Sequence, residues 1–510
     1  MQSNLPIKPG APYGTRTRVI AVRGRCPRPL DEGSHKKLRL EILTYTRIFR
    51  KECYYTANIS RSSEFEVIPI INLLKKLFKF SKPARAEPAI IPREQHMITR
   101  KHISPNALKV LYRLRDAGYS AYLVGGSVRD LLLERIPKDF DVATNAKPEQ
   151  VKKLFRNSLL IGRRFRLAHI RFGQEIIEVA TFRAGASLKR GLQQQTAEHG
   201  MLLRDNVYGT LEEDAERRDF TINALYYNIA DFSIVDYCGG VADLKNKTLR
   251  IIGEPRQRYH EDPVRLLRAI RFAGKLGLQI DEATQAPITE LAPLLKHVPA
   301  ARLFDEVLKL FHSGHASEIF PLLQRYKLFE QLFPQLTACL EDEQQTATEK
   351  LLQLVCHNTD VRIAEGKAIS PGFLFASLLW HPLQKSIKHH LQDNPIIAVA
   401  RNIASHEVIA KQIEQITIPR RFSIMIREIW ELQYRLTKTN PKYIERILAH
   451  PRFRAAYDFL LLRAQIGEDI QPLAQWWQQF YEADTLERQK LLANAPKHKK
   501  RRRKRKKQYE

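Results

Sequence analysis

Along residues 93–250 the spacing of apolar positions changes repeatedly, and each change marks a new element. In "NALKVLYRLRDAG" (106–118) they recur every three or four residues and stop at Gly118, which predicts an amphipathic helix. "SAYLV" reads as a strand, "SVRDLLLER" as a helix, "DFDVAT" as a strand and "KPEQVKKLF" as a helix opened by Pro148. "AHIRFG" and "EIIEVATF" predict a strand pair, and "DFTINALYYN" (219–228) a helix. This is a small α/β unit. From Gly253 the strand signals fade. "DPVRLLRAIRFAGKLG", "ATQAPITELAPLLK", "ARLFDEVLKLFHSG" and "SEIFPLLQRYKLFEQLF" read as successive helices punctuated by Gly or Pro, and an all-helical region runs to about residue 488. The expected fold class is an α/β head followed by an all-helical neck and body, α+β overall. No fixed-period repeat supports a solenoid.

Residues 1–66 carry neither period and mix Gly, Pro, Arg and Cys, so they are expected to be disordered or the product of an upstream start site. In 67–92, "INLLKKLFKF" groups Leu73, Leu74, Leu77 and Phe78 against Lys75, Lys76 and Lys79. Such a basic amphipathic segment suits weak membrane-surface contact, although packing on the next domain is the preferred expectation. "SKPARAEPAIIP" then reads as a linker. No run of eighteen apolar residues predicts a membrane span. The five cysteines, Cys26, Cys53, Cys238, Cys339 and Cys356, lack C-x-x-C spacing, which argues against a disulfide framework and a zinc site and points to the cytoplasm. The net charge is +29, and "KHKKRRRKRKK" (497–507) alone carries ten positive charges. A polyanion is the expected partner, nucleic acid ahead of an acidic membrane.

Within the α/β unit, "LVGGSVRDLLLERIPKDFDVAT" (123–144) places Asp139 and Asp141 two residues apart on a predicted strand, where i and i+2 share a face. Two carboxylates that close repel unless water or a cation separates them, and magnesium bound through carboxylates and substrate phosphates is the usual solution. A solvated edge strand is the plainer reading of the pair taken alone. Upstream, Gly125 and Gly126 fall between strand and helix, where backbone amides can approach a phosphate, and Arg129 lies one turn further on. GGxxR followed by DxD describes a triphosphate held above a metal-binding strand.

Taken together, "GGSVRD", "DFD", "RRDFTINAL" (217–225) and "EDPVRLLRAIRF" (261–272) resemble the class II nucleotidyltransferases, which comprise bacterial poly(A) polymerases and CCA-adding tRNA nucleotidyltransferases. The resemblance covers about 93–320. It implies a catalytic head at 93–250, a neck at 251–320 for base recognition and RNA contact, a helical RNA-binding body at 321–488 and a basic disordered tail at 489–510. It makes Asp139 and Asp141 ligands of two catalytic magnesium ions and sets Gly125, Gly126, Arg129 and Arg218 at the nucleotide. Asp219 is taken as the third catalytic carboxylate, with Glu178 of "EIIEVATF" as its rival on a neighbouring strand. Asp262 and Arg265 are implied to read the base edge, with Arg268 and Arg271 following on one broad helical face. The implied substrates are ATP and RNA 3′ ends, and RNA-decay proteins are implied partners.

Three features favour the polyadenylating branch over CCA addition. "LLIGRRFRLAHIRFG" (159–173) is similar to a stretch of bacterial poly(A) polymerases, the helical body is long, and a basic tail grips arbitrary RNA without reading shape. A non-enzymatic RNA-binding protein would have lost the acids, and they are present. If about five of the tail's charges meet phosphates, the log–log salt dependence of single-strand binding should carry a slope contribution near about −3.5, from roughly −0.7 per contact. Deleting residues 497–507 should therefore flatten that slope and raise the KM for RNA, with kcat at saturating RNA retained. Equal slopes with and without the tail would refute an electrostatic capture role.

Overall fold

The computed structural model describes residues 87–493 apart from 163–165, 185–193, 197–201, 206, 344, 394 and 439–440, all within the unit Arg85–Glu510. The readings made for residues 1–66, for the basic segment at 71–80 and for the tail at 497–507 lie outside the described residues.

The head is built on an eight-stranded sheet of β1 (Ala89–Ile91), β2 (Ala121–Val124), β3 (Asp141–Thr144), β4 (Ser158–Ile161), β5 (Leu167–Phe172), β6 (Glu175–Thr181), β7 (Leu225–Asn228) and β8 (Ile234–Asp236). The order is β1-β8-β7-β2-β3-β6-β5-β4, antiparallel throughout except for the parallel pair β3 and β6. That parallel pair needs a crossover, and helix Pro148–Leu154 lies within it. One sheet face, with Leu123, Val142, Ile177, Val179 and Tyr227, is sealed by α1 (Pro105–Asp116) through Ala107, Val110, Leu111 and Leu114. Ser104 caps α1 by accepting from the Ala107 amide. The other face packs Val124, Ala143 and Tyr226 against Ala215 of the helix Leu211–Arg217.

Several elements differ from the sequence reading. "DFTINALYYN" is not a helix but a single 3-10 turn, Thr221–Asn223, running into β7, which pairs with both β2 and β8. Leu225, Tyr226 and Tyr227 are all buried, so this interior strand shows no polar alternation to distinguish it from a buried helix. Part of the supposed linker, Ala89–Ile91, is the sheet's edge strand. Asp139 precedes β3 rather than lying within it, although Phe140 is buried while Asp139 is exposed and Asp141 half-buried.

In the neck, "DPVRLLRAIRFAGKLG" is not one helix from its first residue. Helix Pro255–Glu261 ends, Asp262 is extended at φ −151° and ψ 92°, and a new helix begins at Val264 and ends at Leu276. Pro263 explains the break, because its ring disfavours the helical conformation for the residue before it. Asp262 therefore shares no helical face with Arg265, Arg268 and Arg271. A two-residue parallel pair, Thr248–Leu249 with Gln279–Ile280, also escaped the reading, and "ATQAPITELAPLLK" is split into Glu282–Gln285, Ile288–Leu291 and the 3-10 segment Ala292–His297. The body is helical as expected, but its last helix, Thr485–Ala493, runs past residue 488.

Gly240, at the start of the short helix Gly240–Lys245, lies against the 3-10 turn, and a Cβ there would overlap the Thr221 carbonyl. Gly240→Ala should destabilise the head by about 1–3 kcal/mol, the usual scale of overpacking. Thermal unfolding of the variant checks this, and an unchanged melting temperature would contradict it.

Candidate active site

Sheet register puts a row of residues side by side on the face covered by helix Leu211–Arg217: Tyr226 opposite Val124, Val124 opposite Asp141, Asp141 opposite Glu178, and Glu178 opposite His169. Asp141 and Glu178 are thus direct neighbours across the parallel pair. Burial pushes the Asp141 carboxyl up to about 6, with Glu178 and Asp139 adding to the rise and the positive charge of Arg218 opposing it. On the far side of Glu178, His169 Nε2 stands 3.1 Å from its Oε1 without the alignment of a hydrogen bond. The structure therefore brings Asp139, Asp141 and Glu178 together.

Asp219 is elsewhere. It accepts from the Phe220 amide at 2.9 Å and Asn223 Nδ2 at 3.1 Å, and its Oδ2 takes Nε and Nη2 of Arg268 at 2.7 and 2.5 Å. Burial opposes its charge, but Arg268, Asn223 and the amide hold the carboxyl well below the usual carboxylate range. A carboxylate so fully engaged joins head to neck, and its charge is not among those acting on Asp141.

Arg218 borders the acids. Its Nε donates to the Tyr226 hydroxyl at 2.8 Å, and Asp214 Oδ2 receives Nη2 at 3.1 Å and the Tyr226 hydroxyl at 2.7 Å. Burial works against its charge, while Tyr226 and Asp214 hold it firmly protonated. Its Nη1 has no hydrogen bond to a described residue and lies 3.3 Å from where a Cβ on Gly125 would stand. Gly125 itself has φ 72° and ψ −127°, which strongly favours glycine, so the chain turns from β2 into helix Gly126–Leu132 without a side chain beside that guanidinium.

Other arginines crowd the junction of head and neck. Arg129 is buried, with Nη1 on Asn223 Oδ1 at 2.6 Å and Nε and Nη2 on Asp130. Arg129, Arg268 and Arg271 all stand within 5.2 Å of the Phe272 ring centroid. Arg258 caps the end of helix Leu211–Arg217 by donating to the carbonyls of Arg217 and Arg218 at 2.6 and 2.5 Å. Burial, reinforced by neighbouring guanidinium groups, lowers Arg217, Arg258 and Arg271 to about 10. Positive charge gathered at such cost favours an anionic ligand.

The Arg265 amide donates to the Asp262 carbonyl at 3.0 Å, but their side chains take different partners. Both Asp262 oxygens take Nη1 and Nη2 of Arg302 at 2.7 Å, while Arg265 Nη1 donates to the Arg258 carbonyl at 2.6 Å and to Glu261 at 3.2 Å. Arg265 keeps Nε and Nη2 without a hydrogen bond to a described residue. Sequence reasoning missed Arg302, Arg258, Asp214, Tyr226 and Asn223. Arg302 is forty residues from the acid it holds, a separation at which no local pattern signals contact.

Three family models match the chain: a poly A polymerase head domain at residues 121–250, a probable RNA and SrmB-binding site of polymerase A at 277–340, and a polymerase A arginine-rich C-terminus at 393–509. The chain is 50% identical over 402 residues to the poly(A) polymerase I of Escherichia coli O6:H1 strain CFT073, covering 78% of this chain and 86% of that protein. It is 38% identical over 242 residues to a CCA-adding enzyme of Lactobacillus helveticus, covering 45% of this chain and 58% of that one. The solved structure of a tRNA-processing enzyme in an apo form matches with TM-score 0.52 and 23% identity, across 78% of this chain and 98% of that one, a likeness of fold. Half of all aligned positions are shared with a poly(A) polymerase I along most of that protein, and the chain belongs to the poly(A) polymerase I family of nucleotidyltransferases.

Proposed function

We propose that the chain adds AMP from ATP to RNA 3′ ends without a template, releasing pyrophosphate, in the cytoplasm as part of RNA processing and turnover. The observation that carries this reading is the meeting of Asp139, Asp141 and Glu178 beside the Gly125 turn and the Nη1 of Arg218. Three hard oxygen donors, one exposed and two half-buried, fit magnesium. Bound there, magnesium would lower the pKa of the attacking 3′ hydroxyl and steady the pyrophosphate oxygens. Arg218, aligned by Asp214 and Tyr226, offers Nη1 to the triphosphate, and Gly125 and Gly126 leave the backbone open beside it. Arg129 is too engaged with Asn223 and Asp130 to act mainly on phosphate; it orders the turn instead. Asp262, a carboxylate acceptor held by Arg302, suits the adenine amine, and Arg265 can donate through Nη2 to a ring acceptor. Arg268 and Arg271 supply positive charge around Phe272. Polyadenylation is preferred to CCA addition because the likeness to poly(A) polymerase I is both higher and longer.

Incubating the protein with a generic RNA primer and each nucleoside triphosphate alone should give long extension with ATP only. Extension confined to tRNA, or stopping after one or two residues, would overturn the reading.

The two candidate third carboxylates separate cleanly. Glu178→Ala should lower kcat by about 100-fold or more, in the range of a lost charge-positioning group, with the fold intact. Asp219→Ala should instead destabilise the protein by about 3–5 kcal/mol, because Arg268 is left buried without its counter-charge. Comparing kcat and melting temperature for the pair checks this; a stable, inactive Asp219→Ala beside an active Glu178→Ala would reverse the assignment.

Asp141 also makes a pH-dependent prediction. Its folded pKa of about 6 lies above the ordinary 3.8, so ionising it disfavours the folded state. That penalty is absent below the ordinary value, grows as pH rises through the window and is complete above about 6. Asp141→Asn should therefore raise the melting temperature of metal-free protein near neutral pH, by up to roughly 3 kcal/mol of stability, and change little near pH 4. It should also abolish nucleotide addition. No gain in melting temperature at neutral pH would contradict the buried-charge account.

A further inference from the structure

The helical body contains a cavity of about 450 Å³ that the chemistry of the head does not use. It lies between helices Gln345–Ala364, Pro371–Leu378, Arg420–Arg435 and Phe453–Gln465. Its wall is apolar, formed by Val355, Phe373, Leu374, Met425, Leu461 and Leu462. Among its polar lining residues, the side chains of His312, Asn358 and Gln465 have no hydrogen bond to a described residue. Burial lowers His312 to about 4, so its imidazole is neutral, one nitrogen donating and the other accepting. Arg362, Arg452, Arg454 and Asp458 bring charge to the lining.

An apolar slot with a few converging polar groups is the ordinary form of a small-ligand site, and this volume is ample for one nucleotide. The charge around it narrows the choice. Arg452 pairs with Glu428 at 3.2 Å and Arg454 with Asp458 at 3.0 Å, whereas Arg362 donates to the Ala368 carbonyl and has no carboxylate partner among the described residues. Three cations against two anions leave about one positive charge, which matches one phosphodiester and falls well short of a triphosphate. We infer that this cavity holds one nucleotide of the RNA strand, its base against Phe373 and the aliphatic wall, its edge facing Asn358, Gln465 and His312, and its phosphate at Arg362. Bases turned out of single strands are bound in this way, by stacking and by hydrogen bonds to their edges. The inference rests on the reading that RNA is the substrate, and it assigns the body a definite grip on the strand upstream of its 3′ end.

The experiment uses the full chain and RNA primers carrying one 4-thiouridine at successive distances from the 3′ end. Photocrosslinks from one narrow register should map to peptides containing residues 358–373 or 451–465. Ala455→Trp, which fills the cavity, and Arg362→Glu at its lining should each abolish that crosslink and raise the KM for long primers about tenfold, the scale of losing one stacked base. The KM for ATP and kcat at saturating RNA should be retained. Arg362 is half-buried beside an exposed loop, so its variant keeps the test decisive if Ala455→Trp does not fold. Crosslinks that avoid these peptides, an unchanged KM in Arg362→Glu, or protection of the crosslink by ATP alone would overturn the inference. A wild-type protein that fails to extend RNA at all would instead overturn the function on which it rests.

Discussion

Asp141 faces Glu178 across a parallel strand pair, with Asp139 two residues before it, and the head is organised around this concentration of negative charge. Neighbouring strands lie roughly 4.8 Å apart, so the two carboxylates cannot avoid each other by side-chain rotation alone. The rise of Asp141 to about 6 measures the unresolved repulsion and burial. Arg218 offsets part of it, and it can do so only because Asp214 and Tyr226 fix its guanidinium from the other side. A cation between the carboxylates, as proposed for magnesium, would remove what remains.

A second ion pair fixes where the neck stands. Asp219 binds Arg268 of the neck and Asn223 of the head, and Asn223 binds Arg129, so a continuous chain of hydrogen bonds runs from helix Gly126–Leu132 to helix Val264–Leu276. Arg258 adds a second connection by capping helix Leu211–Arg217 with its own side chain. The residues proposed to read the base are therefore held at a set distance from those proposed to hold metal. Catalysis that depends on positioning needs that rigidity more than it needs another carboxylate, and the site of Asp219 is consistent with such a structural part.

The limits of the sequence reading follow from these same contacts. The acids at the start of β3 and the glycine turn were legible from local spacing, although Asp139 lies just before the strand rather than in it, and a glycine between strand and helix implies the turn. Glu178 was visible as a polar position in an apolar strand, but its pairing with Asp141 depends on a long crossover, so the pairing was not. The break at Asp262 was written in Pro263 and overlooked because the three-residue spacing of Asp262, Arg265, Arg268 and Arg271 looked helical throughout. Strand β7 was misread for a different reason: with both faces buried, "ALYYN" offers no period to count. The arginine partners Arg302 and Arg258 lie beyond any local pattern.

Arginine is used at two charge densities in this chain, and the difference sorts ligands. Around Phe272 and the end of helix Leu211–Arg217, guanidinium groups outnumber their carboxylates, and burial together with neighbouring guanidiniums lowers three of them to about 10, so that region would gain most from a ligand with several charges close together. Around the body cavity, Glu428 and Asp458 already answer two of three arginines, and a polyphosphate there would leave uncompensated negative charge beside apolar walls. On this charge balance a triphosphate would favour the head, while a strand with one charge per nucleotide could occupy the body without competing for it. The proposed sites for ATP and RNA would then be kept apart by the count of carboxylates around each cluster of arginines rather than by any difference in the arginines themselves.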